Sequence, residues 1–140
     1  MHKNDLKVTF HRMGEEPTCI TSRPPLVTSK PEDAMHNIDI VVFVVPAFGH
    51  PVLLYTLKPY FKPGTLIVGL PGAPGFEFQV QHVLGDVGQQ CTIVNFESSP
   101  WDCCISDFSV GCEVLGTKET LLGAIKVTVS YFNYTWYLPG

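Results

Sequence analysis

The hydrophobic positions of the chain fall into short continuous runs that are separated by loops rich in glycine and proline. Runs of this kind are typical of parallel strands that are buried on both faces. Segments of helical length stand between the runs, and glycine or proline follows each segment. The apolar runs span 39–45, 65–70 and 91–96, and the helical segments span 51–60 and 75–84. This alternation predicts βαβ units and an α/β fold with a parallel sheet.

The two helical segments differ in how clearly they mark a buried face. In segment 75–84 four apolar residues recur at helical spacing, and Gly85 is expected to end the helix. The predicted buried face consists of Phe76, Val80, Val83 and Leu84. In segment 51–60 the spacing is less regular, and the residues expected on the apolar face are Val52, Tyr55 and Pro59.

The flanking segments predict smaller elements. Residues 6–12 alternate apolar and polar side chains and residues 18–21 form a return strand, so a hairpin at a sheet edge is expected. Ser29 is expected to cap a short helix that ends near Asn37. Beyond Trp101 the expected elements are a strand at 111–116 and a brief helix at 118–125, followed by an aromatic segment at 127–140.

The composition is that of a globular protein, with 45% apolar and 16% charged residues, and 140 residues allow one domain at most. The formal charge of −4 and nine scattered Lys and Arg residues argue against a nucleic-acid partner. No run approaches the ~20 apolar residues of a membrane span, and the N-terminus has no signal-peptide character. We therefore expect a soluble, cytoplasmic protein with no membrane partner. The five cysteines form no C-x-x-C pair, which favours reduced thiols over a disulfide framework or a zinc site.

The turn at 45–50 follows the first apolar run, at the strand end where open α/β sheets bind ligands. Proline stiffens this exit, and the small residues around it let a ligand approach the backbone. Two interpretations stay open. Pro46, Ala47 and Phe48 either face a cofactor or only shape the connection to the next helix.

The loop at 69–75 contains three glycines and lies between a strand and a helix, as phosphate-binding loops do. Its spacing is not G-x-G-x-x-G, and Pro71 and Pro74 remove two N–H donors that an anion would need. A rigid structural or substrate-side loop is therefore favoured over a phosphate site.

Residues 95–104 collect an acid, hydroxyls, an indole and two thiols just past the third strand, a mixture that suits a polar pocket. Glu97 either accepts hydrogen bonds from a cationic ligand group or is a solvated or capping acid. Cys103 either lines the same pocket or, with Cys104, fills a core.

Histidines offer weak support for a thiol enzyme. His82 falls on a helix among polar residues, where a surface position is expected. His50 begins a helix, and a binding role and a helix-start role both stay open.

Five motifs occur in order along the chain. They are VPAFGH at 45–50, IVGLP at 67–71, GFEFQ at 75–79, FE at 96–97 with Pro100, Trp101 and Cys103, and EVLGTK at 113–118. Together they resemble the opine dehydrogenases of marine invertebrates, the octopine dehydrogenase group, over residues 6–125.

This resemblance implies a Rossmann-like parallel sheet from a two-domain cytoplasmic enzyme that condenses pyruvate reductively with the amino group of an amino acid, using NADH. Residues 1–126 would be the later part of the dinucleotide-binding domain, and 127–140 an atypical aromatic tail. By motif match, Pro46, Ala47 and Phe48 would lie along the cofactor, and Glu97 and Cys103 would face the amino-acid substrate. The family's catalytic histidine and its acidic partner belong to a helical second domain, so no catalytic residue is assigned.

The chain also departs from the family pattern. The family begins with a glycine-rich strand-turn-helix that holds the pyrophosphate, and the sequence contains no such motif, so we expect an incomplete sheet and an inactive isolated chain. Ala73 stands where octopine-specific members tend to carry a polar residue, so the amino acid need not be arginine. Two alternatives stay open: a reductase of the glycerol-3-phosphate or ketopantoate type, and a truncated, non-catalytic protein that associates through an exposed strand edge.

Overall fold

The computed structural model describes residues 5–127 and 130–137. Its strands are β1 (Leu6–Phe10), β2 (Thr18–Ser22), β3 (Ile40–Phe43), β4 (Leu66–Gly69), β5 (Thr92–Phe96), β6 (Trp101–Asp107), β7 (Gly111–Thr117), β8 (Thr120–Val127) and β9 (Ser130–Tyr137). Its α-helices are α1 (Pro31–Ala34), α2 (His50–Leu57), α3 (Phe76–Leu84) and α4 (Asp86–Gln89). Two 3₁₀ turns, Ala47–Gly49 and Lys58–Tyr60, flank α2.

The larger sheet has five strands in the order β3-β4-β5-β8-β9. Strands β3, β4 and β5 are parallel, with Ile40 opposite Leu66 and Leu66 opposite Thr92, and the helices between them complete two βαβ units. The predicted Rossmann-like α/β architecture is therefore confirmed. Strand β8 runs antiparallel to β5, so the brief helix expected at 118–125 is wrong. Its apolar residues pair across the sheet instead of packing as a helix face.

Strand β9 runs antiparallel to β8 and occupies most of the aromatic segment at 127–140. Residues 128–129 and 138–140 of that segment lie outside the described residues. The division of the chain at residue 126 stays a prediction.

A second sheet has four strands in the order β2-β1-β7-β6. The hairpin predicted at the N-terminal side is confirmed, because β1 and β2 pair antiparallel and β2 forms an edge. Strand β1 also pairs in parallel with β7, which places Lys7 opposite Gly111. Strand β6 pairs antiparallel with β7 and has no counterpart in the sequence prediction. Two hairpins that are distant in sequence thus form one sheet.

The core lies between the larger sheet and helices α2 and α3. The buried face of α3 is the predicted one, formed by Phe76, Val80, Val83 and Leu84. The predicted face of α2 is wrong, because Val52 and Tyr55 are 67% and 58% exposed whereas Leu54 is fully buried. The neighbouring Leu53 and Leu57 also pack on the core, so the leucines and not the β-branched and aromatic residues determine how this helix faces the sheet.

Two smaller expectations also fail. Strand β3 is an edge of the larger sheet within the described residues, and Ile40 and Val42 are about half exposed at 56% and 49%, so this strand is not buried on both faces. Helix α1 ends at Ala34 and Ser29 does not cap it. The hydroxyl of Thr28 instead accepts a hydrogen bond from the backbone N–H of Lys30 at 3.0 Å. No helix in the described part of the chain is long and apolar enough to cross a membrane.

Candidate functional site

The carboxyl ends of β3, β4 and β5 meet at one edge of the larger sheet, because the three strands are parallel and adjacent. The loops that follow them therefore lie side by side. These loops are 44–49, 70–75 and 97–100. The predicted candidate residues Pro46, Ala47, Phe48 and Glu97 all lie on these loops, at the edge where α/β sheets bind ligands.

The loop after β4 is held to both neighbouring strands through its backbone. The N–H of Leu70 donates to the carbonyl of Phe43 at 2.9 Å, and that of Gly72 donates to the carbonyl of Phe96 at 3.0 Å. Ala73 has a φ of 62° and Gly75 a φ of 87°, so the chain turns sharply before α3 begins. These two N–H groups already donate to the neighbouring strands, so they are not available to bind an anion. A rigid structural or substrate-side loop is therefore favoured over a phosphate cradle.

Asn95 on β5 ties the same loop to the sheet through its side chain. Its Nδ2 donates to the carbonyl of Ala73 at 3.1 Å and to Oε2 of Glu77 at 3.3 Å. Its Oδ1 is buried and has no hydrogen-bond partner among the described residues. This oxygen lies against Gly72, where a Cβ atom would overlap it and lie 2.7 Å from Cγ. Glycine is therefore required at position 72 for close approach.

An open cleft of about 470 Å³ lies beside this loop. It is lined by Ala73, Pro74, Asn95, Glu97, Leu122, Gly123 and Ala124. Glu97 is exposed and supplies the carboxylate of the cleft, while most of the other lining residues are apolar or small. The backbone N–H of Glu97 donates to the carbonyl of Leu122 at 3.1 Å, which joins the acidic loop to β8. An apolar cleft with one exposed carboxylate suits a small ligand that carries a cationic group.

A lysine fixes the rest of the 97–100 loop. Lys118 Nζ donates to the hydroxyl oxygen of Ser98 at 2.6 Å, and its backbone N–H donates to the carbonyl of Pro100 at 2.9 Å. The loop that carries Glu97 is therefore connected to the residues just before β8 by both backbone and side chain. The sequence alone does not reveal this role of Lys118, because the residue lies about twenty positions from the loop along the chain.

The turn after β3 presents the three predicted cofactor residues to solvent. Ala47 to Gly49 form the 3₁₀ turn, and the N–H of Gly49 donates to the carbonyl of Pro46 at 2.8 Å. Phe48 is 84% exposed, an unusual position for a phenylalanine. The three residues therefore offer exposed apolar side chains at this turn, and their assignment to a cofactor stays a prediction.

Cys103 and Glu97 do not share the cleft. Cys103 lies on β6 opposite Val114 in the four-stranded sheet, and it is not among the residues that line the cleft. Cys103 and Cys104 are both exposed, so the idea that they fill a core is wrong. All seven residues of β6 are exposed, so neither face of this strand is covered by other elements. The substrate-facing role of Cys103 stays a prediction.

His50 is buried at the start of α2, with 1% of its surface exposed, whereas His82 lies on the surface as expected. The ring of His50 packs edge-on against the ring of Phe76 at a centroid distance of 4.9 Å and against that of Phe43 at 6.2 Å. Neither ring nitrogen has a well-formed hydrogen bond within the described residues. Burial lowers the pKa of His50, and the nearby backbone of Val45 and Pro71 only partly opposes that shift. His50 therefore acts as a neutral core residue beneath the loops.

The free energy of unfolding is expected to fall as the pH drops below about 6.5, the ordinary pKa of histidine. The folded-state pKa of His50 is lowered, so the unfolded chain binds the proton more readily, and stability is lost between the ordinary pKa and the lowered one. One such group contributes at most ~1.4 kcal/mol per pH unit. Urea unfolding from pH 5 to pH 8 measures the slope, and His50→Phe should reduce it while retaining the ring contacts.

The control for this measurement is His82→Phe, which replaces an exposed histidine of the neighbouring helix. It should leave the pH slope as in the unsubstituted chain. An equal slope in the His50→Phe and His82→Phe variants would contradict the prediction.

Comparison with known proteins finds close relatives that are longer than this chain. It is 43% identical over 126 residues to tauropine dehydrogenase from Arabella iricolor, an alignment that covers 90% of this chain and 32% of the relative. It is 38% identical over 122 residues to octopine dehydrogenase from Pecten maximus, covering 87% of this chain and 31% of the relative. No protein-family model matches the chain.

The fold shows the same relationship. A solved structure of octopine dehydrogenase with NADH and L-arginine superposes with a TM-score of 0.86 at 37% identity, over 91% of this chain and 32% of that one. The chain thus spans about a third of the length of the relatives it matches, 32% for the tauropine dehydrogenase.

Proposed function

The chain belongs to the opine dehydrogenase family, and from this premise we propose that it forms part of an oxidoreductase that condenses pyruvate reductively with an amino acid, using NADH. Residues 1–126 would be the later part of the dinucleotide-binding domain, and the cytoplasm the place of action. The observation that carries the proposal is the cleft beside the 70–75 loop, where Glu97 meets small apolar residues at the carboxyl edge of a parallel sheet.

The turn after β3 fits one part of the cofactor. Pro46, Ala47 and the exposed ring of Phe48 offer apolar contact area rather than a cluster of anion donors, which suits a ring of the dinucleotide and not its pyrophosphate. When bound, NADH supplies the hydride for the reduction. These three residues would hold and orient the cofactor at the strand edge, next to the loop that lines the cleft.

Glu97 would bind the amino-acid substrate. Its exposed carboxylate can accept hydrogen bonds from an ammonium or guanidinium group, and the neighbouring apolar residues offer contact area to the rest of the ligand. Lys118 and the carbonyl of Leu122 keep the Glu97 loop in place. Cys103 would approach the substrate from β6, outside the described cleft. No described residue is assigned as the acid or base, so the proton-transfer step would use residues that relatives carry elsewhere in their longer chains.

The amino acid is proposed to be smaller than arginine or different from it in charge. Ala73 lines the cleft with a methyl group where a polar residue would otherwise face the ligand. A relative with 43% identity is a tauropine dehydrogenase, so taurine, alanine and glycine belong in the substrate panel beside arginine.

The test uses the full-length enzyme that contains this segment, assayed for NADH oxidation with pyruvate and each amino acid of the panel. Glu97→Gln removes the charge but keeps the shape of the side chain. Because a hydrogen bond to a charged group contributes ~1.5–3 kcal/mol, KM for the amino acid should rise about 10- to 100-fold while KM for NADH changes less than about twofold. Steady-state kinetics with one substrate varied at a time measures both values.

The matched control is Glu16→Gln, a charge loss at the exposed turn of the β1–β2 hairpin. It should leave every KM unchanged. If no amino acid of the panel supports NADH oxidation with pyruvate, the opine dehydrogenase activity is refuted, and a ketopantoate-type reductase or a non-catalytic protein becomes the better explanation. The exposed β3 edge is the feature that favours the non-catalytic alternative.

A further inference from the structure

We propose that Asn95 is a positioning residue that sets the separation between the 70–75 loop and Glu97, and thereby the affinity for the amino substrate. The proposal rests on the proposed function for its kinetic consequence, but its structural part does not. Asn95 lines the cleft, but both N–H donors of its amide are used by protein acceptors, so its role is to hold the two walls together.

The cleft has two walls that Asn95 connects. Ala73 and Pro74 form one side of the cleft, and Glu97 and the β8 residues form the other. Asn95 lies on β5 and Glu97 directly follows the strand, and both side chains line the same cleft. The amide of Asn95 reaches from this strand to the carbonyl of Ala73 at 3.1 Å. One side chain therefore links the two walls.

The side-chain amide of Asn95 has one preferred orientation. Its NH₂ group faces two acceptors, the Ala73 carbonyl and the Glu77 carboxylate. The reversed orientation would place Oδ1 against these two oxygens, so only one orientation is stable. In that orientation Oδ1 lies against Gly72, and it stays without a hydrogen-bond partner in the described part of the chain. A buried acceptor is left unpaired while both donors are used.

The side chain of Asn95 is closely surrounded by its neighbours. Asn95 pairs with Gly69 on one side and Ala124 on the other, so small residues flank it in the sheet. The close contact with Gly72 leaves the amide no space to move. Glu77 is on the first turn of α3, so the same amide also fixes the start of that helix relative to the cleft. Loss of the two N–H donors should let the 70–75 loop separate from β5.

The experiment replaces Asn95 with aspartate, which has nearly the same shape but no N–H donors, and with alanine. In the full-length enzyme, KM for the amino acid should rise about 10-fold, the effect of one lost hydrogen bond, while KM for NADH stays within about twofold. A merely structural role would lower the active fraction, and hence kcat, for all substrates and leave each KM unchanged. The control is Gln90→Ala, which removes a side-chain amide bond to the carbonyl of Asp86 at the opposite end of β5.

Hydrogen exchange supplies a readout that needs no activity. The backbone amides within residues 70–77, where Pro71 and Pro74 have none, should exchange about 10-fold faster in both Asn95 variants than in the unsubstituted protein. In Gln90→Ala they should exchange at the original rate. Faster exchange together with the selective rise in KM supports the proposal. Unchanged exchange at 70–77, or an unchanged KM for the amino acid in an active enzyme, overturns it. An inactive unsubstituted enzyme refutes the proposed function instead, and exchange then decides whether Asn95 positions the loop.

Discussion

Replacing Gly72 with alanine is expected to lower the free energy of unfolding by ~3 kcal/mol, because a Cβ atom at this position overlaps the side chain of Asn95. The same Cβ would lie 3.2 Å from the ring of Phe76, so the loop cannot move inward to relieve the overlap. Outward movement would break the bond from the Gly72 N–H to the carbonyl of Phe96. Urea unfolding followed by circular dichroism measures the loss as a lower midpoint.

Gly116→Ala is the matched control for this substitution. Gly116 lies on β7, where an added Cβ would meet only Asp102 at 3.9 Å, an ordinary contact. Alanine is also less flexible in the unfolded chain, so this variant should be as stable as the original or up to ~1 kcal/mol more stable. Equal midpoints for the Gly72→Ala and Gly116→Ala variants would mean that the 70–75 loop does not pack against β5 as described.

Phe76→Ala is expected to cost ~3–5 kcal/mol, the usual loss for a phenylalanine that is removed from a core. Phe76 is fully buried, and its ring lies 5.6 Å from the ring of Phe43 and 4.9 Å from that of His50, measured between centroids. The residue therefore joins β3, α2 and α3 beneath the candidate site. Thermal unfolding should show a large drop in Tm, or no folded protein at all.

Phe78 provides a comparison on the same helix, since its side chain is 64% exposed. Phe78→Ala removes the same atoms from a position that is mostly in water, so it should change stability by less than ~1 kcal/mol. If Phe78→Ala destabilised the protein as strongly as Phe76→Ala, the helix face assigned to the core would be incorrect.

The sequence predicted the part of the fold in which local pattern and tertiary burial agree. Helix α3 is the clearest case, because its apolar residues recur at helical spacing and Gly85 ends it with a φ of 59°. Strands β4 and β5 were equally predictable, since both are continuous apolar runs with glycine-rich or proline-rich flanks. Strand β3 has the same pattern, but an apolar run does not reveal whether a strand is central or at an edge.

Long-range pairing decided the parts that local pattern could not. Strand β6 consists of exposed residues with no clear alternation, and its pairing with β7 is what makes it a strand. Strand β8 contains Leu121, Leu122 and Ile125, a spacing that a helix can also have, and its conformation depends on the antiparallel partner β5. Such choices are made by tertiary context, which one sequence without its partners does not contain.

The position of the candidate site follows only in part from the sequence, for the same reason, and the roles of its residues stay predictions. Glu97 could be recognised because an acidic residue directly after a buried strand is a local signal. Asn95 could not, since the loop residues that it contacts, Gly72 and Ala73, reach it only in the folded sheet. An asparagine near the end of an apolar strand, two positions before a candidate acid, is the signal to look for in other sequences of this family.

The parallel pairing of β1 with β7 has a consequence for the time course of folding. Lys7 and Gly111 are neighbours in the sheet although roughly one hundred residues separate them, so the contact closes a very long loop. During synthesis at roughly 5–20 residues per second, the first hairpin leaves the ribosome on the order of ten seconds before its partner strand. Throughout that interval the backbone groups on the β7-facing side of β1 have no partner strand, so the hairpin carries an additional unpaired sheet edge until β7 emerges.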